Sequence, residues 1–151
     1  MSTTTVKPEA PNWYIVDAKD QTLGRLSARV ARVLNGKHKV TWSPHQVMSD
    51  HVIVINAKDI VLQGKKAEQK EYIRHSGYFG HMKRIPFARL FEKDPTQVLK
   101  RSIRGMLPRN KLRPLMLKHL HIFPGDEHGH DAQKPQPLER PSTSNKPSSA
   151  S

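Results

Sequence analysis

The sequence predicts an α/β protein in which strands and helices alternate along one domain. Two short runs of aromatic and β-branched residues, WYIVD at 13–17 and HVIVI at 51–55, are apolar on both faces, which is typical of buried strands. Between them, residues 23–34 carry apolar side chains at helical spacing. A chain of 151 residues is long enough to bury one core, so a single domain is expected.

The first helix is predicted from residue 23 to about residue 34, with Thr22 as its N-cap and Gly36 as its stop signal. Its apolar residues gather in one sector, and the opposite sector carries Arg25, Arg29 and Arg32. An ordinary solvated face usually mixes signs, but no acid occurs anywhere in residues 21–49. The arginine in the first turn also opposes the helix dipole. We therefore interpret this face as one that meets an external anion.

The next segments are short. The loop Lys37-His38-Lys39 continues the positive strip, and Trp42 is expected to pack on the core, although it could stack on a base. Residues 60–62 are predicted as a third strand, residues 63–66 as a tight basic turn and residues 71–75 as extended chain. Residues 76–83 form a glycine-rich loop that lacks the phosphate-binding GxxxxGK[ST] pattern.

Two helices follow this loop. Pro86 lies at the first turn of a helix that runs to about Lys93. Asp94 is the predicted cap of a second helix, from residue 95 to residue 105. That helix carries Lys100, Arg101 and Arg104 in its C-terminal half, where the helix dipole favours cations, so their position alone is weak evidence of function.

The stretch from residue 105 to residue 138 organises the functional interpretation. Residues 97–125 contain seven Lys or Arg and no Asp or Glu. Arg109, Lys111 and Arg113 recur at every second position, an apolar turn follows at 112–117, and residues 119–123 are predicted as a strand. A surface this positive is uncommon unless a polyanion supplies the counter-charge.

Composition favours nucleic acid as that polyanion. The formal net charge is +13 and the mean hydropathy is −0.70. No apolar run approaches the roughly 20 residues that a membrane span needs. Residues 1–12 show no apolar signal region, so a cytoplasmic protein is expected. The absence of cysteine excludes disulfides, thiolate catalysis and cysteine-type metal sites. The spread of cations over loops and helix faces suits phosphate and shape recognition of folded RNA.

Histidine is the one enzyme-like signal. His119 and His121 share a face of the predicted strand, and His128 and His130 repeat the spacing beside acidic residues. H-x-H on a strand can chelate a metal, so a metal-dependent hydrolase or nuclease is the alternative function. No HExxH helix, G-x-S-x-G elbow or acid/base carboxylate couple supports it. The single acids Asp17 and Asp50, near strand ends, are interpreted as caps.

Several motifs then carry a resemblance. The runs WYIVDA, TLGRLSARVARVLNGK, NAKDIVLQGKK, HSGYFGHMK, RGMLPRNKL and GDEHGHDAQKPQPL resemble the bacterial-type L13 family of large-subunit ribosomal proteins. The match covers residues 13–138 in order. The resemblance implies a three-layer α/β/α fold with a small, mainly parallel four-stranded sheet, plus extended basic loops. It also implies a non-enzymatic structural protein that binds large-subunit rRNA, contacts neighbouring ribosomal proteins and joins early in subunit assembly.

We expect a flexible lead-in at 1–12, one rRNA-binding domain at 13–138 and a disordered Ser/Pro-rich tail at 139–151. No cofactor, metal, membrane, small-molecule substrate or homo-oligomer is expected. The predicted rRNA-binding residues, from charge and resemblance together, are Arg25, Arg29, Arg32, Lys37, His38, Lys39, Lys65, Lys66, His75, Lys83, Arg84, Lys100, Arg101, Arg104, Arg109, Lys111, Arg113, His128 and His130. The family usually has Gly-Gly where this chain has Gly80-His81.

Overall fold

A computed structural model of the chain describes residues 10–138. The strands are β1 (Trp13–Asp17), β2 (His51–Ile55), β3 (Glu71–His75), β4 (Met82–Pro86), β5 (Leu120–Ile122) and β6 (Gln136–Pro137). The α-helices are α1 (Leu23–Leu34), α2 (Lys66–Gln69), α3 (Phe87–Lys93), α4 (Pro95–Met106) and α5 (Arg113–Lys118). Single 3₁₀ turns lie at Ala57–Asp59 and Asp131–Gln133.

The central sheet has four strands in the order β5-β2-β1-β6, and each neighbouring pair is parallel. In its register, Tyr14, Val52 and Leu120 lie side by side on three neighbouring strands. Two residues further along, Val16, Val54 and Ile122 lie side by side in the same way, on the same face of the sheet. The predicted α/β class and its mainly parallel four-stranded sheet are therefore confirmed.

The core lies between the sheet face that carries Val16, Val52 and Val54 and the helices α1 and α4. α1 packs against α4, and both contribute fully buried side chains, such as Leu26 and Val30 from α1 and Ile103 from α4. Burying one apolar face of each helix leaves the polar side chains of that helix on the outside. The cations of α1 and α4 therefore point away from the core.

The strands β3 and β4 form a separate antiparallel hairpin. Its base is tied to the domain by a hydrogen bond from the backbone N–H of Phe87 to the carbonyl oxygen of Lys70, 2.8 Å long. Tyr72 and Ile85, paired across the hairpin, pack against the core. The rest of the hairpin extends away from it.

Three sequence-based assignments are corrected. Residues 60–62 do not form a strand: Val61 makes one isolated parallel bridge with Thr22, and the ladder stops because α1 begins at the next residue. Residues 82–86, read as loop and helix start, form β4. The basic turn continues into a short helix, α2, which the sequence did not predict.

Gly36 makes the turn after α1 possible. Its φ of +74° is a left-handed conformation that favours glycine, and a Cβ there would lie 2.7 Å from the carbonyl oxygen of Met48. The lead-in and tail assignments fall mostly on residues 1–9 and 139–151, outside the described residues. Asn12, assigned to the lead-in, is held at both backbone groups: its N–H donates to Asp50 and its carbonyl accepts from the N–H of His51.

Candidate nucleic-acid interface

A positively charged groove lies between α4 and the segment 109–117. Its cavity has a volume of about 760 Å³. The residues that line the groove are Gln97, Lys100, Arg101, Arg104, Arg109, Asn110, Arg113, Pro114 and Leu117. Five of the nine are cations and none is an acid, so the groove attracts anions.

The helix α4 forms one wall of the groove. Val98, Leu99 and Ile103 are fully buried, which turns the intervening cations to the outside of the helix. The N-cap of the helix is Asp94, whose carboxylate accepts hydrogen bonds from the backbone N–H groups of Thr96 and Gln97. These bonds hold the pKa of Asp94 below its usual value, with the Thr96 hydroxyl bond the largest cause. The predicted cap is thus confirmed.

The second wall is fixed by hydrogen bonds within the loop after α4. Leu107 is buried and extended, so the chain leaves the helix and turns back. The Nε of Arg113 donates to the carbonyl oxygen of Pro108 at 2.9 Å, and its backbone N–H donates to the Oδ1 of Asn110 at 3.1 Å. Arg113 therefore shapes the loop as well as charging it, whereas Arg109 is exposed.

No ion pair within residues 10–138 involves a cation of this groove: the four pairs formed there use His38, Lys39, Arg84 and His128. Five like charges around one cavity repel each other, and no acid among the residues that line the groove offsets this repulsion. A bound polyanion would remove this repulsion.

A second cavity, of about 410 Å³, shares Gln97 and Arg101 with the first. It adds Arg89 and Lys93, which lie one helical turn apart on α3. The guanidinium carbon of Arg101 lies 5.3 Å from the ring centre of Tyr72. Burial raises the pKa of the Tyr72 hydroxyl, and the charge of Arg101 opposes that rise. Arg101 thus lines both cavities, and its guanidinium group is held over an aromatic ring.

The α1 cations form a second basic surface. Arg25 and Arg32 are exposed, and Arg29 is half-buried with Nη2 donating to the Oε1 of Gln21 at 2.7 Å. The ammonium of Lys37 lies 5.8 Å from the ring centre of Trp42. The Trp42 indole N–H donates to the carbonyl oxygen of Asn35, so this ring packs over the end of α1.

The Lys39 side chain is directed inward, and His38, which stays exposed, contacts the same buried carboxylate; the sequence revealed neither contact. Asp50 is fully buried and accepts from the Lys39 ammonium at 2.6 Å and contacts the His38 Nε2 at 2.7 Å. The Lys39 side chain is 7% exposed. The interpretation of Asp50 as a cap is therefore wrong, and little of the Lys39 side chain is accessible to a phosphate.

The remaining predicted residues are scattered. Lys65 and Lys66 are exposed at the start of α2, and Lys111 is exposed beside the groove without lining it. His75, Lys83 and Arg84 lie on the hairpin, where Arg84 is 3.8 Å from Glu71. The structure thus gathers Lys100, Arg101, Arg104, Arg109 and Arg113 into one groove and distributes the others around the domain.

The histidines form an aromatic cluster on the sheet face opposite α1 and α4. Trp13 and His51 stack with ring centres 4.1 Å apart, and His51 stacks on His119 at 4.3 Å. The ring centre of His121 lies 4.8 Å from that of His130. His130 lies in the closing loop (residues 128–137), with its ring centre 5.4 Å from that of Trp13. Stacked rings present faces to each other, whereas metal binding needs ring nitrogens that converge on one point.

The cluster lowers the basicity of its inner members. Burial, followed by the charges of His119 and His121, holds the pKa of His51 below its usual value. Burial, followed by the charge of His130, does the same for His121. Within residues 10–138 no three His, Asp or Glu side chains are placed to hold a metal ion. The alternative of a metal-dependent hydrolase is therefore not favoured.

Some residues that line the two cavities were not predicted from the sequence. Arg89 and Lys93 are four residues apart, a spacing that would have placed them on one helical face. Gln97 and Asn110 are neutral, so a search for charge could not find them. No local signal shows that Asp50 reaches back to Lys39.

A profile of the family described as Ribosomal protein L13 matches residues 11–129. The chain belongs to the ribosomal protein L13 family. A protein of Alkalilimnicola ehrlichii named Large ribosomal subunit protein uL13 is 45% identical over 92% of this chain and 99% of its own length. Proteins with the same name from Clostridioides difficile and Macrococcus caseolyticus are 49% and 50% identical, over 83% and 84% of this chain and 88% of their own lengths.

Membership of the L13 family decides the question of catalysis. The family consists of structural ribosomal proteins and is not known as an enzyme family, which confirms the prediction that the chain is not an enzyme. The resemblance inferred from the sequence motifs is likewise confirmed. In the described part of the chain, no helix combines the length and apolarity that would let it cross a bilayer. Which residues of this L13-family chain touch RNA stays a prediction.

Proposed function

We propose that the chain is a structural constituent of the large ribosomal subunit that binds large-subunit rRNA and supports early subunit assembly in the cytoplasm. The observation that carries the proposal is the groove between α4 and residues 109–117, with five cations and no acid. Relatives that cover most of this chain are named as large-subunit proteins. Neighbouring ribosomal proteins are its expected protein partners.

The groove suits a phosphate backbone better than a small anion. A single phosphate is satisfied by two or three donors, whereas the first cavity offers five cations. The second cavity, which shares Gln97 and Arg101 with the first, adds Arg89 and Lys93 beside one acid, Asp94. Phosphate contacts position a protein on RNA without reading its sequence. Specificity would then come from the shape of a folded RNA that reaches several basic surfaces of the domain at once.

Lys39 does not contact RNA in this proposal, because Asp50 neutralises its charge. His128 and His130 serve to pack the closing loop. The α1 surface, the exposed lysines of α2 and Lys111 are proposed as secondary contacts. Each is solvent-exposed or half-exposed in the described residues, so phosphate could reach it without refolding.

The test compares two double variants with the same loss of charge. Arg104→Gln with Arg109→Gln removes two groove cations, and Lys19→Gln with Lys58→Gln removes two exposed cations elsewhere. Each phosphate contact releases counterions and contributes about 0.7–0.9 to the magnitude of the slope of log affinity against log salt. The groove variant should therefore reduce the slope by about 1.4–1.8, and the control variant should change it little.

The binding measurement uses large-subunit rRNA fragments and an unrelated folded RNA of equal size, across a salt series. One rRNA fragment should stay bound at salt that strips the unrelated RNA. Equal dissociation of both RNAs would mean that the chain is only a general polyanion binder, and equal slopes for the two double variants would exclude the groove as the contact site.

A further inference from the structure

The tip of the β3–β4 hairpin exposes aromatic side chains that nothing in the described chain covers. Tyr78 is 77% exposed and Phe79 is 105% exposed. Ile73 and Met82, on the adjoining strands, are also exposed. Exposed apolar residues that adjoin one another mark an interaction site more often than scattered ones do.

The tip has a defined backbone shape. Gly77 and Gly80 have φ values of +97° and +73°, so both adopt conformations that favour glycine. The N–H of Gly77 donates to the Nδ1 of His75 at 2.9 Å, and the N–H of His81 donates to the carbonyl oxygen of Tyr78 at 3.2 Å. These bonds close the turn and hold the aromatic pair at its outermost point.

The charge of the hairpin identifies the chemistry of its partner. Arg74 and Lys83 are directly opposite each other in the strand register. Like charges directly opposite on an antiparallel pair destabilise it, unless an anion lies between them. Between residues 70 and 84 the only acid is Glu71, and it is 3.8 Å from Arg84 at the base of the hairpin. The outer part of the hairpin is therefore aromatic and positive, with no internal counter-charge.

We propose that Tyr78 and Phe79 stack on unpaired bases of RNA while Arg74 and Lys83 bind the phosphates that flank those bases. Flat aromatic rings beside cations match single-stranded nucleotides, because each nucleotide offers a π-face and a phosphate a few ångströms apart. This inference rests on the proposed function and adds base stacking at the hairpin to phosphate binding at the groove.

The first test measures binding of the full chain to large-subunit rRNA at fixed salt. Phe79→Ala and Tyr78→Ala should each weaken binding by about 5- to 150-fold if a base stacks on that ring. Phe79→Leu keeps the apolar bulk without the ring and should weaken binding nearly as much, whereas Phe79→Tyr should bind normally. The salt slope should stay unchanged in all four variants, because stacking releases no counterions.

Val40→Ala is the matched control, since Val40 is an equally exposed apolar residue outside the hairpin. A fully paired RNA duplex is the control probe and should show no loss with Phe79→Ala, because its bases are already stacked. If Phe79→Leu binds rRNA like the unchanged chain, apolar contact without base stacking explains the binding, and the proposal is overturned. Phe79-dependent binding to phosphatidylglycerol vesicles, with unchanged rRNA binding, would identify a membrane contact and overturn it too.

A second test separates binding from folding. Arg74→Gln removes the cross-strand repulsion, so the free energy of unfolding should stay equal or increase while the salt slope for rRNA decreases by about 0.7–0.9. An unchanged slope would remove Arg74 from the proposed site. If the groove variant loses slope while every tip variant binds normally, the proposed function stands and the hairpin inference fails. If no rRNA fragment is preferred over unrelated RNA, the proposed function itself fails.

Discussion

Replacing Asp50 with Ala is the perturbation with the clearest structural consequence. The carboxylate is fully buried and accepts from the backbone N–H of Asn12 at 2.9 Å and from the Lys39 ammonium at 2.6 Å, and His38 contacts it at 2.7 Å. Without it, the Lys39 ammonium, on a side chain that is 7% exposed, loses its counter-charge in a poorly hydrated site.

The magnitude follows from that burial. Removing one partner of a buried ion pair costs about 3–5 kcal/mol, because the other charge stays desolvated. This is a large part of the 5–15 kcal/mol that is typical of a folded domain. With a denaturant slope of about 2 kcal/mol per molar urea, the unfolding midpoint of Asp50→Ala should fall by about 2 M.

The assay is urea unfolding of Asp50→Ala, Lys39→Met and the double variant. Lys39→Met should cost less than Asp50→Ala, because the carboxylate keeps its contacts with His38 and Asn12. The double variant should be more stable than the sum of the single losses predicts, by a coupling of about 0.5–3 kcal/mol. Additive losses, or a loss below about 1 kcal/mol for Asp50→Ala, would refute the buried pair.

The same variants decide the function of Lys39. Because its ammonium is bound to Asp50, Lys39→Met should leave the salt slope for rRNA unchanged. A slope that falls by about 0.7–0.9 would mean that Lys39 reaches a phosphate and is not held by Asp50.

Three further predictions concern stability, each measured by urea unfolding. Gly36→Ala should lose at least about 1 kcal/mol more than Gly64→Ala, because both glycines have positive φ but only at Gly36 would the added Cβ lie 2.7 Å from a backbone oxygen; equal losses would contradict this. Asp94→Ala should cost about 1 kcal/mol while Asp94→Asn keeps the cap, so equal costs would argue against capping. The pKa of His51 is lowered from 6.5, so stability should be full above that pH and fall as the pH drops below it, because the unfolded chain takes up the proton first. His51→Phe should reduce that fall, whereas His45→Gln, which removes an exposed histidine, is the control, and identical pH profiles would contradict the assignment.

Elements with strong local signals were predicted well. β1, β2 and α1 match the predicted bounds, and α4 begins at the predicted cap. Each has either a continuous apolar run or an apolar stripe between a cap and a stop signal, so its neighbours in sequence determine it. The segment 119–123 was also predicted as a strand, and β5 occupies its middle.

Elements that depend on distant partners were missed. β6 is Gln136–Pro137, which has no strand-like composition and exists because it pairs with Tyr14 and Ile15. β4 carries two cations and one proline, and it forms because β3 lies opposite. Residues 60–62 show the converse, since their apolar composition predicts a strand but the geometry allows one bridge.

The cations of the described residues fall into two groups, those paired with a buried acid and those left unpaired in the groove. The sequence alone could not show to which group a given cation belongs. Lys39 is buried and neutralised by Asp50, so it contributes to the stability of the isolated chain. The groove cations are without ion pairs in the described residues, so their mutual repulsion opposes folding until an anion binds. Salt should therefore act in two directions. It stabilises the isolated chain by screening the groove, and it weakens the complex with RNA by competing for the same charges. A chain whose free energy of unfolding fell with added salt would contradict this division.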